Sequence, residues 1–157
     1  MQSGVAAVKG LAFSNGLPCA GVSTLESMAY NFRDENCTVC SLMDARCNQV
    51  YTALFEIRDG IVSRITDDDA MSVDELKIKL QSINSKIYLC GDGAKLCYDS
   101  FGKDAENIIL PDENRRYQRA YGTGLAAFAH GEFGDSALLM PTYLRPPQAE
   151  RELKLRN

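Results

Sequence analysis

Residues 37–65, CTVCSLMDARCNQVYTALFEIRDGIVSRI, carry the pattern that decides the fold. Two runs rich in β-branched and aromatic residues, 37–43 and 50–57, are followed by Asp59 and Gly60 and by a third run, 61–65. An Asp-Gly pair between such runs predicts a hairpin, because a type I′ turn needs positive φ at both central positions. The middle of the chain is therefore predicted to be antiparallel sheet.

Helical patterns lie on both sides of this sheet. Residues 4–14 have apolar side chains at helical spacing, and the spacing predicts a helix. Ser23 with Glu26, and Ser72 with Glu75, form two capping boxes, which predict two further helix starts. The helix after Ser23 is expected to bury one stripe and to expose the other side. The buried stripe is Leu25, Met28, Ala29 and Phe32, and the exposed residues are Glu26, Ser27 and Asn31.

Three more strands are predicted from short apolar runs at residues 19–22, 86–90 and 107–110. The second of these runs ends in Gly91-Asp92-Gly93, and a helix with Leu96, Cys97 and Phe101 inward is expected to follow it. A last helix is marked by Tyr117, Ala120, Tyr121, Gly124, Leu125 and Phe128 and is expected to close at Gly131. The order of these elements predicts an α/β fold, a mixed sheet flanked by helices.

Composition limits the classes of protein that remain. The 157 residues suffice for one domain with a core, and 45% apolar with 24% charged residues is an ordinary globular balance. No apolar run approaches the roughly 20 residues of a membrane helix, and the start lacks the pattern of a secretory signal. We therefore expect a cytoplasmic protein without membrane contact, whose six cysteines are reduced thiols.

The formal charge of −4 predicts poor affinity for RNA by this chain alone, because non-specific affinity comes from cations that displace phosphate counterions. The densest basic spot is Arg115, Arg116 and Arg119, beside Asp112 and Glu113. Such a mixture of charges is more typical of a solvated helix end than of a phosphate site.

Several segments together resemble one family. They are GVAAVKGLA at residues 4–12, GVSTLE at 21–26, MDAR at 43–46, QVY at 49–51 and PTYLR at 141–145. In this order they are similar to the TsaB (YeaZ-like) subunits of the bacterial tRNA threonylcarbamoyladenosine complex. The resemblance implies one lobe of the actin, sugar-kinase and chaperone-ATPase (ASKHA, ribonuclease-H-like) fold. Residues 1–145 would be the second lobe, with the first lobe absent, and residues 146–157 would be a polar tail.

The resemblance also implies a role. TsaB-like subunits are expected to be non-catalytic scaffolds that stabilise and position a TsaD-like catalytic subunit, which holds the metal and performs the transfer. A TsaE-like ATPase would complete the complex, and tRNA would contact this chain only indirectly. The family places much of the dimerising surface on the first lobe, so this chain is expected to bind a TsaD-like subunit weakly. A homodimer is a further possibility.

Two candidate nucleotide- or partner-binding groups stand at predicted strand ends. Gly91, Asp92 and Gly93 form either a relic nucleotide loop or an Asp-capped turn, and we favour the turn, because a lone G-D-G is a weak motif and one lobe cannot clamp a phosphate. Asp44 and Arg46 could orient a partner or a ligand phosphate. They could equally form an intramolecular ion pair that fixes the hairpin, which we favour.

No residue is assigned to catalysis, to a metal or to a cofactor. Cys37 and Cys40, with Cys47, raise a zinc hypothesis, but strand positions three apart point to opposite faces, so core thiols are preferred. His130 is the single histidine and is expected to cap the end of a helix. The sequence contains neither a paired-histidine metal motif nor G-x-S-x-G, which argues against hydrolysis.

Two other functions remain open at this point. The first is an ATPase or small-molecule kinase of the same superfamily that lacks its first lobe and would bind nucleotide through Gly91 to Gly93. The second is a self-associating domain outside any complex, with an exposed helix face formed by Val5, Val8 and Leu11.

Overall fold

The computed structural model describes residues 2–130, 132–142 and 144. Within them, the helices are α1 (Gln2–Asn15), α2 (Thr24–Ala29), α3 (Val73–Leu80), α4 (Ala94–Ser100), α5 (Glu113–Arg116) and α6 (Ala120–His130). The strands are β1 (Cys37–Asp44), β2 (Gln49–Arg58), β3 (Ile61–Arg64), β4 (Asp69–Ser72), β5 (Ile87–Cys90) and β6 (Ile108–Ile109). Three 3₁₀ turns lie at Tyr30–Phe32, Gly102–Asp104 and Ser136–Leu138.

The strands form one mixed sheet with the order β3-β2-β1-β5-β6, and β4 pairs with the beginning of β2. Strands β1, β2 and β3 are antiparallel, whereas β5 runs parallel to β1 and β6 runs parallel to β5. In the parallel pair, Ser41 of β1 lies opposite Cys90 of β5. Both strands therefore end at the same edge of the sheet, and the predicted α/β class with a mixed sheet is confirmed.

The predicted hairpin is present, and its turn residues have the expected backbone conformation. Asp59 has a φ of 51° and Gly60 a φ of 78°. The turn between β1 and β2 is also left-handed, with φ values of 66°, 52° and 57° at Arg46, Cys47 and Asn48. Strand β1 ends at Asp44, two residues before Arg46, and β2 ends at Arg58, directly before Asp59, so the two hairpins set the register of the antiparallel part.

Each face of the sheet is covered by its own group of helices. On one face, α3 and α4 pack over alternate residues of β1, β2 and β5, with Leu76, Leu80 and Cys97 in the core. On the other face, α2 and the turn after it pack through Met28 and Phe32. The Ser72 capping box that starts α3 is present as predicted, because Ser72 and Glu75 each accept the other's backbone N–H.

Two details of the α2 region differ from the prediction. Residues 19–22 form no strand, since within them only Cys19 makes a bridge, to Gly134. Glu26 and Ser27 are buried instead of exposed. The reason is that α2 is covered on two sides: α6 approaches so closely that a Cβ on Gly122 would overlap the carbonyl oxygen of Ser27.

The second half of the chain also departs from the prediction in places. Leu96 is partly exposed instead of inward, because α4 packs on the sheet through Ala94 and Cys97. Residue Tyr117 is extended and lies outside the last helix, which begins only at Ala120. The helix α5 was not predicted. Gly131 and the predicted tail at residues 146–157 lie outside the described residues, as does Arg145.

In the described part of the chain, no helix is long and apolar enough to cross a membrane.

Candidate functional site

The edge where β1 and β5 end brings the predicted site residues together. Asp44 is the last residue of β1, and Gly91 follows β5 directly. An Oδ1 atom of Asp92 accepts a hydrogen bond from the backbone N–H of Asp44 at 3.1 Å. The two groups proposed from the sequence, Asp44 with Arg46 and Gly91 to Gly93, therefore form one continuous edge.

The glycine loop is bound to the protein's own backbone. The N–H of Gly91 donates to the carbonyl oxygen of Arg116 at 2.6 Å, and the N–H of Gly93 donates to that of Leu42 at 3.3 Å. A Cβ on Gly93 would lie 3.2 Å from the backbone of Met43 and Asp44. The glycines thus permit close approach between chain segments, and two amides that a phosphate would need are already used. These contacts favour the turn interpretation, while nucleotide binding stays a prediction.

Asp44 and Arg46 form the intramolecular pair that we favoured. An Oδ1 atom of Asp44 accepts from the backbone N–H of Arg46 at 2.7 Å, and its Oδ2 lies 3.5 Å from the guanidinium. The Arg46 side chain is 87% exposed, so the pair contributes little stability. Its guanidinium remains accessible at the tip of the left-handed β1–β2 turn.

Cys37 and Cys40 are core thiols as preferred, whereas Cys47 is not. Cys37 and Cys40 are buried, and Cys47 is exposed on the β1–β2 turn. Burial raises the pKa of Cys40 to about 12 and that of Cys37 to about 11, which disfavours the thiolate that zinc requires. Among the described residues, no group of three or more metal-ligating side chains is arranged to hold an ion. His130 ends α6 as expected, and its capping role stays a prediction.

The expectation of a solvated helix end at Arg115 and Arg116 is wrong. Arg115 is half-buried and donates to Asp34 at 2.6 Å and to Glu35 at 2.8 Å. Its guanidinium also lies 4.8 Å from the ring centre of Phe32. Arg116 is only 7% exposed. The sequence could not show this, because the carboxylates that bind Arg115 lie about 80 positions earlier in the chain.

A set of exposed apolar side chains on neighbouring elements is a feature that the site prediction missed. It comprises Leu11, Phe13, Leu17, Phe128, Phe133, Leu138 and Met140, of which each is between 47% and 79% exposed. We call this set the apolar surface. The sequence partly indicated this surface, since Val8 and Leu11 were expected on an open helix face and both are exposed.

Specific contacts join the parts of the apolar surface. The ammonium of Lys9 donates to the carbonyl oxygens of Ala137 at 2.8 Å and Leu139 at 3.2 Å, which fixes α1 against the 3₁₀ turn at Ser136–Leu138. The rings of Phe128 and Phe133 are 6.0 Å apart. Between α1 and this turn lies a depression of about 350 Å³, lined by Lys9, Gly10, Phe13, Ser136 and Ala137.

A second depression lies elsewhere on the molecule. It measures about 570 Å³ and is lined partly by Phe101, Asn107 and Ile108, next to the starts of β5 and β6. None of its lining residues belongs to the edge formed by Asp44 and Gly91 or to the apolar surface. We therefore assign it no part in the candidate site.

Comparisons with known proteins identify relatives of this chain. Residues 1–120 match the family of TsaD, tRNA N6-adenosine threonylcarbamoyltransferase. The chain is 29% identical to the tRNA threonylcarbamoyladenosine biosynthesis protein TsaB of Bacillus subtilis (strain 168), over 96% of this chain and 66% of that protein. It thus spans just under two thirds of the length of this curated relative.

Solved structures support the same fold. YeaZ from Pseudomonas aeruginosa superposes with a TM-score of 0.66 at 20% identity, over 89% of this chain and 66% of that chain. A crystal structure described as an uncharacterized protein with similarity to peptidase YEAZ from Pseudomonas aeruginosa gives a TM-score of 0.64, also at 20% identity. The superposition covers 90% of this chain and 66% of that chain. The chain therefore shares the α/β fold of these YeaZ-like structures.

Proposed function

From the premise that this chain belongs to the TsaD family, as a TsaB/YeaZ-like member, we propose that it is a scaffold subunit of the tRNA N6-threonylcarbamoyladenosine modification system. In this role it has no catalytic activity of its own. It stabilises and positions a TsaD-like catalytic subunit in the cytoplasm. A TsaE-like ATPase completes the complex, and a homodimer is an alternative state of the scaffold.

The observation that carries the proposal is the apolar surface. Five of its members are each more than 70% exposed: Leu11, Phe13, Phe128, Leu138 and Met140. Single exposed apolar residues are ordinary in proteins, but several of them on neighbouring elements favour a contact with another protein. Aromatic and Met side chains are also the types that are enriched in such contacts.

The construction of the apolar surface supports the same role. Lys9 bonds two carbonyl oxygens of the neighbouring turn, and Cys19 pairs with Gly134, so α1 and residues 134–139 are held together before any partner arrives. A surface that is already ordered loses less conformational entropy on binding. The candidate edge at Asp44 and Gly91 is, by contrast, occupied by the protein's own hydrogen bonds.

We further propose that residues 1–145 correspond to the second lobe of the two-lobed superfamily and that residues 146–157 are a tail. The fold likeness to YeaZ, over 66% of that chain, supports this assignment. Part of the dimerising surface would then lie on a first lobe, and we expect this chain alone to bind a TsaD-like subunit weakly.

Co-purification with the TsaD-like subunit of the same genome tests the proposal. The test variant is Phe13→Asp, in which a charge replaces an aromatic ring on the apolar surface. The matched control is Ile78→Asp on α3, which replaces a comparably exposed apolar side chain, 69% exposed, on the other layer of the fold. We expect the wild type and the control to retain the subunit weakly, in low-salt washes, and Phe13→Asp to lose it. If both variants retain the TsaD-like subunit, or if both lose it, the proposal is contradicted.

A further inference from the structure

Residues 115–121, RRYQRAY, combine basic and aromatic side chains from the end of α5 to the first turn of α6. The structure divides them into two groups. Arg115 and Arg116 point into the protein, whereas Tyr117 is 44% exposed and Tyr121 is 70% exposed. Arg119, between the two tyrosines, is exposed as well. The surface of this segment therefore consists of two aromatic rings and one guanidinium.

The backbone beneath Tyr117 is held at three points. The side-chain amide of Asn31 donates to the carbonyl oxygens of Arg115 at 3.0 Å and of Tyr117 at 2.9 Å. The N–H of Gly91 donates to the carbonyl oxygen of Arg116. A ring presented on a fixed backbone is a better stacking platform than a mobile one, because less entropy is lost when a ligand binds.

Arg116 supports the Tyr117 ring from inside. Its guanidinium carbon lies 5.1 Å from the ring centre, and one of its nitrogens bonds Glu113 at 3.1 Å. Its Nε is buried and has no hydrogen-bond partner among the described residues. A buried cation with an unsatisfied nitrogen is costly, so its position under the ring needs an explanation. The cation–π contact between the Arg116 guanidinium and the Tyr117 ring fixes the ring in place.

Only one cation of the segment remains available for a ligand. Arg115 is neutralised by Asp34 and Glu35, and Arg116 by Glu113. In the part of the chain that the structure describes, Arg119 has no carboxylate partner. Two exposed aromatic rings around one available arginine match the features by which proteins bind single-stranded nucleic acid, namely base stacking and a phosphate contact.

We propose that Tyr117, Arg119 and Tyr121 form a contact site for single-stranded RNA. Unpaired bases stack on the two rings, and the Arg119 guanidinium binds a phosphate of the same strand. The inference rests on the proposed function in one respect: a tRNA-modification system supplies the RNA. It goes beyond the expectation that tRNA meets this chain only indirectly.

The site shares no residue with the apolar surface. Tyr121 lies in the first turn of α6, and Phe128 lies seven residues further along, which is about 10 Å of helix. The two surfaces also differ in chemistry, since the apolar surface is aliphatic and aromatic with no exposed arginine among its members. RNA and the protein partner can therefore be tested with different substitutions.

Binding of a labelled single-stranded oligouridylate about ten nucleotides long to the whole chain tests the inference. The chain contains seven tyrosines and no tryptophan, so quenching of tyrosine fluorescence reports stacking directly. We expect a dissociation constant of about 10⁻⁴ M at physiological salt. Because one arginine makes the phosphate contact, the logarithm of the affinity should fall with the logarithm of salt concentration with a slope of about −0.7.

Substitutions then assign the contacts. We expect Tyr117→Ala and Tyr121→Ala each to weaken binding about 5- to 100-fold, and Tyr117→Phe and Tyr121→Phe to retain it, because stacking needs the ring and not the hydroxyl. Arg119→Gln should bring the salt slope close to zero. Phe13→Ala, which removes an exposed ring from the apolar surface, is the matched control and should leave RNA binding unchanged. Urea midpoints equal to the wild type would show that the variants fold.

Any one of three results would overturn the inference. Either the wild type fails to bind RNA, or Tyr117→Ala and Tyr121→Ala both bind RNA as tightly as the wild type, or Phe13→Ala weakens RNA binding as much as the tyrosine variants do. If the alanine variants instead lose the TsaD-like subunit and keep RNA, the tyrosines belong to a protein contact. Failure of the proposed function is seen separately, as failure of the wild type to retain the TsaD-like subunit.

Discussion

A Cβ atom on Gly91 would overlap the carbonyl oxygen of Leu42, the residue that lies two positions before the end of β1. This relationship joins the two parallel strands at the edge that carries the predicted site. Gly91 also has a φ of 99°, which side chains rarely adopt. The first glycine of the Gly91-Asp92-Gly93 turn is therefore a packing requirement of the fold.

Gly91→Ala is expected to lower the free energy of unfolding by at least about 3 kcal/mol, because it combines a backbone overlap with an unfavourable φ. Urea unfolding followed by circular dichroism measures the loss. The matched control is Gly124→Ala in α6, where nothing lies within 4 Å of the added Cβ. That variant should be stabilised by about 0.5–1 kcal/mol through helix propensity. If Gly91→Ala has the same free energy of unfolding as the wild type, the loop does not pack against Leu42 and is open to a ligand.

Stability should depend on Glu35 at acidic pH. A hydrogen bond from the Tyr88 hydroxyl, with further bonds from Lys86 and Arg115, lowers the pKa of Glu35 from 4.5 to about 2. Because the folded-state pKa is below the unfolded one, the stabilisation is complete above about 4.5 and is lost as pH falls towards about 2. Solvent screening reduces its size, and we expect about 1–2 kcal/mol near neutral pH.

The variant Glu35→Gln measures this contribution. Its free energy of unfolding should fall below that of the wild type near pH 7, and the two proteins should converge near pH 2. Glu106→Gln, at an exposed residue without a described ion pair, serves as the control and should follow the wild type throughout. A gap between Glu35→Gln and the wild type that stays constant down to pH 2 would refute the assignment.

The thiols should differ sharply in reactivity. Burial raises the pKa of Cys40, Cys90 and Cys97 to about 12, whereas Cys47 is exposed on the β1–β2 turn. Since the thiolate is the reactive form, iodoacetamide near pH 8 should label Cys47 and leave these three cysteines unlabelled in the native protein. Mass spectrometry of native and urea-unfolded samples identifies which cysteines carry the label. Native labelling of Cys40 would show that the core opens, which the packing of β1 contradicts.

Local patterns sufficed for most of the fold. Asp59 and Gly60 predicted their turn because the conformation depends on those two residues alone, and Ser72 with Glu75 predicted the start of α3 for the same reason. The Gly91 turn was also anticipated as a turn. The sequence did not show that Gly91 contacts Leu42, because Leu42 is distant in the chain.

Tertiary contacts account for the wrong predictions. Glu26 was expected in solvent because helical periodicity places it opposite the buried stripe. In the structure it is buried and its carboxylate lies 2.8 Å from the guanidinium of Arg64, a residue of β3. Arg115 likewise donates to two carboxylates on a distant segment, those of Asp34 and Glu35. Charged side chains with distant partners cannot be placed by local pattern, and neither can an apolar surface assembled from residues 11–17, α6 and residues 133–140.

Calorimetric titration of this chain into the TsaD-like subunit at several temperatures tests the central claim most directly, because burial of apolar surface gives a negative heat-capacity change. The account predicts a change of roughly −0.2 to −0.3 kcal/mol/K for an interface of ordinary size. The signal should persist in Ile78→Asp and disappear in Phe13→Asp. Binding without a negative heat-capacity change, or with equal values for both variants, would contradict the assignment of the apolar surface to the catalytic partner.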